Sequence, residues 1–283
     1  MAARSYLYVP GDQPAKLAGA AGRGADALVL DLEDAVTPGR KAGARALVGA
    51  HLRGLEPGAG PQLWVRVSTE ELEDDVEAVL TPSLDGLFVP KADPEQVARA
   101  DAMLSRLEAE RGLPDRSVRV IPLVEHAEGL RDAAAVAAHP RVDRLGLGEA
   151  DLAADLGLVP GPEREELWPY RAQVVLASTL ARCGRPVGPV ETDLRDADLL
   201  EHGTRRLLRQ GFRARTTLTP AQVAVVNRVL TPSADEVARA TAIVAALEAA
   251  ARSGSGVAVD ADGRIVDEAV VRSARDVLSR ARP

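Results

Sequence analysis

A repeated change of period organises the chain. Short apolar, partly β-branched runs at residues 5–9, 27–31, 63–67, 86–89, 118–124, 144–148, 187–190 and 214–218 are each followed by a turn and an Ala/Leu/Arg-rich stretch with helical spacing. The clearest helical stretches are 40–53, 94–111, 163–182 and 195–210. Strict alternation of strand and helix calls for parallel strands joined by crossover helices, and eight such units within about 220 residues predict a (β/α)8 TIM barrel in the α/β class. An open doubly wound sheet is the alternative. It would carry a Gly-rich phosphate loop after the first strand, whereas Pro10-Gly11-Asp12-Gln13-Pro14 has one glycine and matches neither GxGxxG nor GxxxxGK.

Beyond the eighth unit the pattern changes. Pro232-Ser233 opens a helix with Asp235 and Glu236 in its first turn, and Ser253-Gly254-Ser255-Gly256 reads as a hinge. A short apolar segment at 257–259, the turn Asp260-Ala261-Asp262-Gly263 and a final helix over about 267–282 complete the chain. The barrel is therefore expected over 1–230, with a C-terminal helical extension or lid over 231–283.

Charge and cysteine content narrow the partners. With 35 Lys+Arg against 42 Asp+Glu, a net charge of −7 and no cluster of basic residues with aromatics, nothing here holds a nucleic-acid backbone. The first residues lack an apolar signal region and no stretch approaches 18 uninterrupted apolar residues, so no membrane partner is expected and a cytoplasmic location is. Cys183 stands alone, which removes disulfides, thiolate zinc sites and CxxC chemistry. The four histidines show no metal-ligand spacing, and no GxSxG elbow occurs.

Acidic residues fall where barrel active sites assemble, at the carboxyl ends of strands. Asp31, Glu33 and Asp34 follow the second run, Arg66 ends the third, Lys91 follows the fourth, Glu125 the fifth, Glu149 and Asp151 the sixth, and Thr192 and Asp193 the seventh. Like charges on one rim repel unless a cation intervenes, and hard oxygen ligands suit Mg²⁺, with Glu125 and Asp151 the best pair of direct ligands. Solvated helix-capping acids are the plainer account. Arg66 serves equally as a salt-bridge partner of this ring or as a clamp for a substrate carboxylate, and Lys91 is a candidate Schiff-base lysine of a metal-free aldolase.

The residues that carry these positions also form ordered motifs: Arg4-Ser5-Tyr6-Leu7-Tyr8-Val9-Pro10-Gly11, Asp31-Leu32-Glu33-Asp34-Ala35-Val36, Val65-Arg66-Val67, Val89-Pro90-Lys91, Glu125, Gly148-Glu149-Ala150-Asp151-Leu152 and Gly211-Phe212. In this order they resemble the citrate lyase β-subunit-like branch of the HpcH/HpaI aldolase family, which includes malyl-CoA and citramalyl-CoA lyases. The resemblance runs from Arg4 to about Ala274. It implies a Mg²⁺-dependent carbon–carbon lyase acting on a 3-hydroxy-carboxyacyl thioester through an enolate, carried by CoA or an acyl carrier, with a 2-oxoacid as the second fragment.

By match to the family's motifs, the resemblance implies Glu125 and Asp151 as metal ligands supported by Glu33 and Asp34, and Arg66, Glu125, Glu149 and Ala150 around the substrate. It also implies Asp267, in Gly263-Arg264-Ile265-Val266-Asp267, as the acid/base, and a homotrimer or hexamer in which the tail covers a neighbouring subunit's site. Lys16 and Arg4 are candidates for CoA phosphates.

Several positions depart from the family. Ser68 stands for a usual asparagine, Ala214 for a glycine, Thr219 for a histidine, and Ala269 for a proline after Asp267. The Ala214 to Thr219 changes bear on thioester recognition, so two other readings stay open. One is a metal-dependent aldolase on free 4-hydroxy-2-oxoacids, and the other a non-catalytic scaffold or acyl-carrier partner.

Overall fold

The computed structural model describes residues 2–281. Two compact units divide between Asn227 and Arg228. In the first unit β1 (Ser5–Pro10), α1 (Pro14–Gly19), β2 (Ala27–Asp31), α2 (Lys41–Arg53), β3 (Gln62–Arg66), α3 (Leu72–Val79), β4 (Gly86–Val89) and α4 (Pro94–Glu110) form its first half. The second half runs through β5 (Arg119–Val124), α5 (Ala127–Arg131), α6 (Ala133–Ala137), β6 (Arg144–Leu147), α7 (Glu149–Asp155), α8 (Trp168–Ala181), β7 (Gly184–Gly188), α9 (Ala197–Gln210), β8 (Ala214–Thr217) and most of α10 (Pro220–Leu230). The eight strands pair in sequence order, all parallel, and β8 closes on β1 through Ser5↔Arg215, Tyr6↔Thr216 and Leu7↔Thr217. The (β/α)8 barrel expected from the alternation is the observed fold, and the open sheet is excluded by this closure.

Alternation along the strands builds two cores. One set of positions, including Tyr6, Ala27, Val29, Trp64, Phe88, Ile121, Leu123, Val187 and Ala214, fills the barrel interior. The intervening residues, such as Leu7, Val9, Leu28, Leu30, Val65, Leu87 and Val89, pack outward with apolar side chains of the helices. Four of the chain's seven aromatics, Tyr6, Tyr8, Trp64 and Phe88, gather in the barrel interior. Tyr6 meets Trp64 and Phe88 edge-on at 6.0 and 5.5 Å, and Trp64 meets Phe88 at 5.8 Å. Such pairs contribute about 0.5–1.5 kcal/mol each beyond burial. Gly86 makes room for them, because a Cβ there would lie 2.2 Å from the Trp64 ring.

One strand begins earlier than its apolar run suggests. β7 starts at Gly184, whose amide donates to Asp143 O at 2.7 Å, although Gly184-Arg185-Pro186 reads locally as a turn. The ladder to β6 shifts register between Arg144 and Gly146, which accommodates the proline.

The second unit begins inside α10, three residues before the expected boundary at 230/231. It contains α11 (Ala234–Arg252), the antiparallel pair β9 (Ala258–Val259) and β10 (Ile265–Val266), and α12 (Glu268–Arg280). Ser233 and Glu236 form a reciprocal capping box at the start of α11, as the sequence signature requires. The expected final helix reaches residue 282, which lies outside the described residues; α12 ends at Arg280. Among the described residues no helix is long and apolar enough to cross a membrane.

Candidate active site

β5 delivers Glu125 to the carboxyl-end rim, where it is 5% exposed. Its Oε1 accepts a 2.6 Å hydrogen bond from the backbone amide of Lys91, which follows β4 in the left-handed region at φ 46°. Gly148, after β6, leaves the space for this carboxylate: a Cβ there would fall 2.5 Å from Glu125 Oε2. Asp151 follows in the first turn of α7, exposed to the same cavity. Burial pushes the Glu125 carboxyl up to about 7, with the Lys91 amide opposing, Asp151 adding to the rise and Arg66 opposing again.

The neighbouring corner is held by Arg66. Its Nε and Nη2 form a fork on the Asp31 carboxylate at 2.8 and 2.6 Å, Nη1 lies 2.7 Å from Glu33 Oε2 and 3.3 Å from Asp34, and the guanidinium stacks 4.8 Å over the Tyr8 ring. Burial pushes the Glu33 carboxyl up to about 8, against the pull of Arg66, with Asp34, Glu125 and Asp31 adding to the rise. Burial also raises the Tyr8 hydroxyl, and Arg66 partly offsets this. Burial alone would lower the Arg66 guanidinium, but the Asp31 hydrogen bonds and surrounding negative charge hold it raised.

A cavity of about 1130 Å³ opens over these groups. It is lined by Tyr8, Asp31, Asp34, Arg66, Glu125 and Asp151, and by Lys16, Glu149 and Ala150 among the other candidates. Glu33 reaches the site through Arg66 and does not line the cavity. A buried carboxyl raised by burial beside a second carboxylate suits a hard divalent cation that keeps further positions for water and substrate oxygens. Among the described residues no group of three or more acidic, histidine or cysteine side chains forms a metal cage.

Other candidates take different places. Arg4, a candidate for CoA phosphates, precedes β1 and so sits at the amino-end rim, where its backbone and guanidinium bind Asp26 at 2.8–2.9 Å, and it does not line the cavity. The Lys91 side chain is exposed and does not line the cavity, so only its backbone serves the site, and the Schiff-base reading has no support. The Glu149 carboxylate lines the cavity yet is engaged by Arg171 at 2.5 and 2.9 Å and by Arg164 at 3.4 Å. Asp267 lies in the second unit, where it caps α12 by accepting from Ala269 and Val270 at 2.9 and 3.0 Å. Ala214, at 1% exposure, fits the barrel interior, and Thr219 lines the cavity while accepting from the Gln222 amide at 3.3 Å.

Around Glu149 the structure gathers charges that the sequence does not mark as site residues. Arg164, Arg171 and Arg215 interleave with Glu149 and Glu191 behind the rim of β6, β7 and β8. Burial pulls the Arg215 guanidinium down to about 10, and Glu191 opposes this. Arg215 lies within the apolar run of β8, and Arg164 sits in a polar loop with no apolar period to mark it.

Comparison with known proteins agrees with the geometry. The model of the HpcH/HpaI aldolase/citrate lyase family matches residues 4–220. A (3S)-malyl-CoA thioesterase of Cereibacter sphaeroides is 36% identical, covering 98% of this chain and 94% of the relative, and citrate lyase subunit beta of Leuconostoc mesenteroides subsp. cremoris is 30% identical, covering 98% and 93%. Among solved structures, CitE of Mycobacterium tuberculosis in complex with magnesium, acetoacetate and coenzyme A superposes with a TM-score of 0.79 at 28% identity, covering 99% of this chain and 98% of that one. With its barrel matched by the family's model and its whole length by these relatives, the chain belongs to the HpcH/HpaI aldolase/citrate lyase family.

Proposed function

We propose that this protein is a Mg²⁺-dependent carbon–carbon lyase that cleaves or forms a 3-hydroxy-carboxyacyl thioester of the malyl-CoA, citramalyl-CoA or citryl type. The observation that carries this reading is the buried Glu125 carboxyl, raised to about 7 beside Asp151, on the same cavity as Arg66. The magnesium and coenzyme A of the similar CitE structure support the cofactor and the carrier. Glu125 and Asp151 would hold Mg²⁺, which supplies a Lewis acid and a template for the carboxylate and carbonyl of a 2-oxoacid.

The chain's own residues then divide the work. Arg66 offsets the negative charge of the oxoacid fragment, held in place by Asp31, Glu33 and Asp34. In the cleavage direction the 3-hydroxyl gives its proton to solvent water, the bond to the α-carbon breaks, and its electron pair stays with the thioester fragment as an enolate. Asp267 delivers the proton to that α-carbon and, in the reverse direction, removes it. Lys16, exposed on α1 at the cavity edge, is placed to meet carrier phosphates. The second unit acts as a lid over a neighbouring subunit in a homotrimer or hexamer, which light scattering tests.

Thioester hydrolysis is the second reading, favoured by the 36% identity with a malyl-CoA thioesterase. Mass spectrometry separates the two. Protein, Mg²⁺ and acetyl-CoA or propionyl-CoA, incubated with glyoxylate, pyruvate or oxaloacetate, should yield a hydroxyacyl-CoA that disappears with EDTA. Release of CoA and a free hydroxy acid from that product identifies a hydrolase. Absence of any new thioester, with Mg²⁺ still bound, overturns the lyase reading in favour of a free 4-hydroxy-2-oxoacid aldolase or a carrier-binding scaffold.

A further inference from the structure

The cavity has two electrical poles. On the side of β2, β3 and β5 and at the start of α7 lie Asp31, Glu33, Asp34, Glu125 and Asp151 around the single guanidinium of Arg66. Behind β6, β7 and β8 the balance reverses, with Arg164, Arg171 and Arg215 set against Glu149 and Glu191. Arg171 takes both oxygens of Glu149, and Arg215 is satisfied by Pro189 O, Leu200 O and Thr204 Oγ1 besides Glu191. Three guanidiniums thus share two carboxylates, and Arg164 is the one that turns this positive surplus toward the cavity. Its side chain is 28% exposed, against 5% and 3% for the other two, and it is the one of the three that lines the cavity.

The placement of Arg164 is constrained. Its backbone is left-handed at φ 51°, ψ 39°, a conformation uncommon outside glycine, and its Nη2 is held by Glu191 at 2.9 Å while Nη1 reaches Glu149 at 3.4 Å. A guanidinium has five N–H donors, so these two contacts leave capacity for an oxyanion in the cavity. Glu149, which Arg164 contacts, begins the helical turn that carries Asp151, and Arg164, Glu149, Glu125 and Asp151 line one cavity.

Resting on the lyase reading above, we infer that Arg164 is a specificity-determining residue that binds a second carboxylate on the oxoacid fragment, selecting dicarboxylic over monocarboxylic 2-oxoacids. Pyruvate and oxaloacetate differ by this one carboxylate. Calorimetric titration of both, with and without Mg²⁺, should show the protein binding freshly prepared oxaloacetate at least tenfold more tightly than pyruvate. Arg164→Gln should reduce that ratio at least tenfold, and Arg164→Lys should keep most of it. In the unaltered protein the ratio should also fall as ionic strength rises, because a partly exposed charge pair is screened. A wild-type ratio near one, a ratio that survives in Arg164→Gln, or a salt-independent ratio overturns the inference. Failure of the lyase reading looks different, since both acids would then bind equally well without Mg²⁺.

Discussion

Ionising a carboxyl that is 5% exposed beside a second carboxylate is costly, and Glu125 meets that cost with one amide hydrogen bond and a distant guanidinium. A divalent cation removes the cost. Glu125→Gln or Asp151→Ala should therefore weaken Mg²⁺ binding by more than the roughly 10–100-fold typical of residues that merely support a ligand, with turnover lost in parallel; calorimetry and the thioester assay check both. The pH dependence has a definite sign. Glu33 at about 8 and Glu125 at about 7 both stand above the ordinary 4.5, so the folded apo protein holds these protons more tightly than the unfolded chain does. Their contribution to stability is full below about 4.5 and is lost as pH rises through 7 and 8. Melting curves without metal should show the midpoint falling across that window, and added Mg²⁺ should restore it most at the alkaline end. Below pH 7, Mg²⁺ affinity should weaken by up to about tenfold per unit as protons compete for Glu125.

At the scale of strands and helices, the rim is built from connections as much as from side chains. Gly148 joins β6 to α7 and leaves the volume that Glu125 Oε2 occupies, 2.5 Å from where a Cβ would stand. Gly148→Ala should displace that carboxylate, at about 1–3 kcal/mol of stability, with a loss of Mg²⁺ affinity measurable by titration. Much of this rim was legible in the sequence, because parallel strands make chain direction a guide to which end a residue occupies. Asp31 and Arg66 end their strands, Glu125 and Asp151 follow theirs, and all four meet at one cavity. The same logic places Arg4 at the other end, since it precedes β1. Arg164 was not legible. Its position depends on a left-handed turn and on Glu149 and Glu191, which become neighbours only when β6 and β7 lie side by side. The early start of β7 was hidden by Pro186, a residue that reads as a strand breaker without its partners.

For the whole molecule, the division at 227/228 separates the barrel's charged cavity from the carboxylate proposed to move the proton. Asp267→Asn should consequently lower turnover by about 100-fold or more, the scale of general acid–base catalysis, while Mg²⁺ affinity stays within about twofold. An equal loss of both would place Asp267 in the architecture of the tail and not in the chemistry. The asparagine still accepts from Ala269 and Val270, so the cap of α12 survives the exchange.

The interlocked rings of Tyr6, Trp64 and Phe88 give the barrel a floor. A vessel with a floor is loaded and emptied from the same side, so its contents queue. On the proposed lyase function, the fragment seated against Glu125 enters before the bulkier thioester and departs after it. Traffic of this kind shows in steady-state kinetics: the oxoacid should act as a competitive product inhibitor against the substrate being cleaved, and the released short thioester as a non-competitive one.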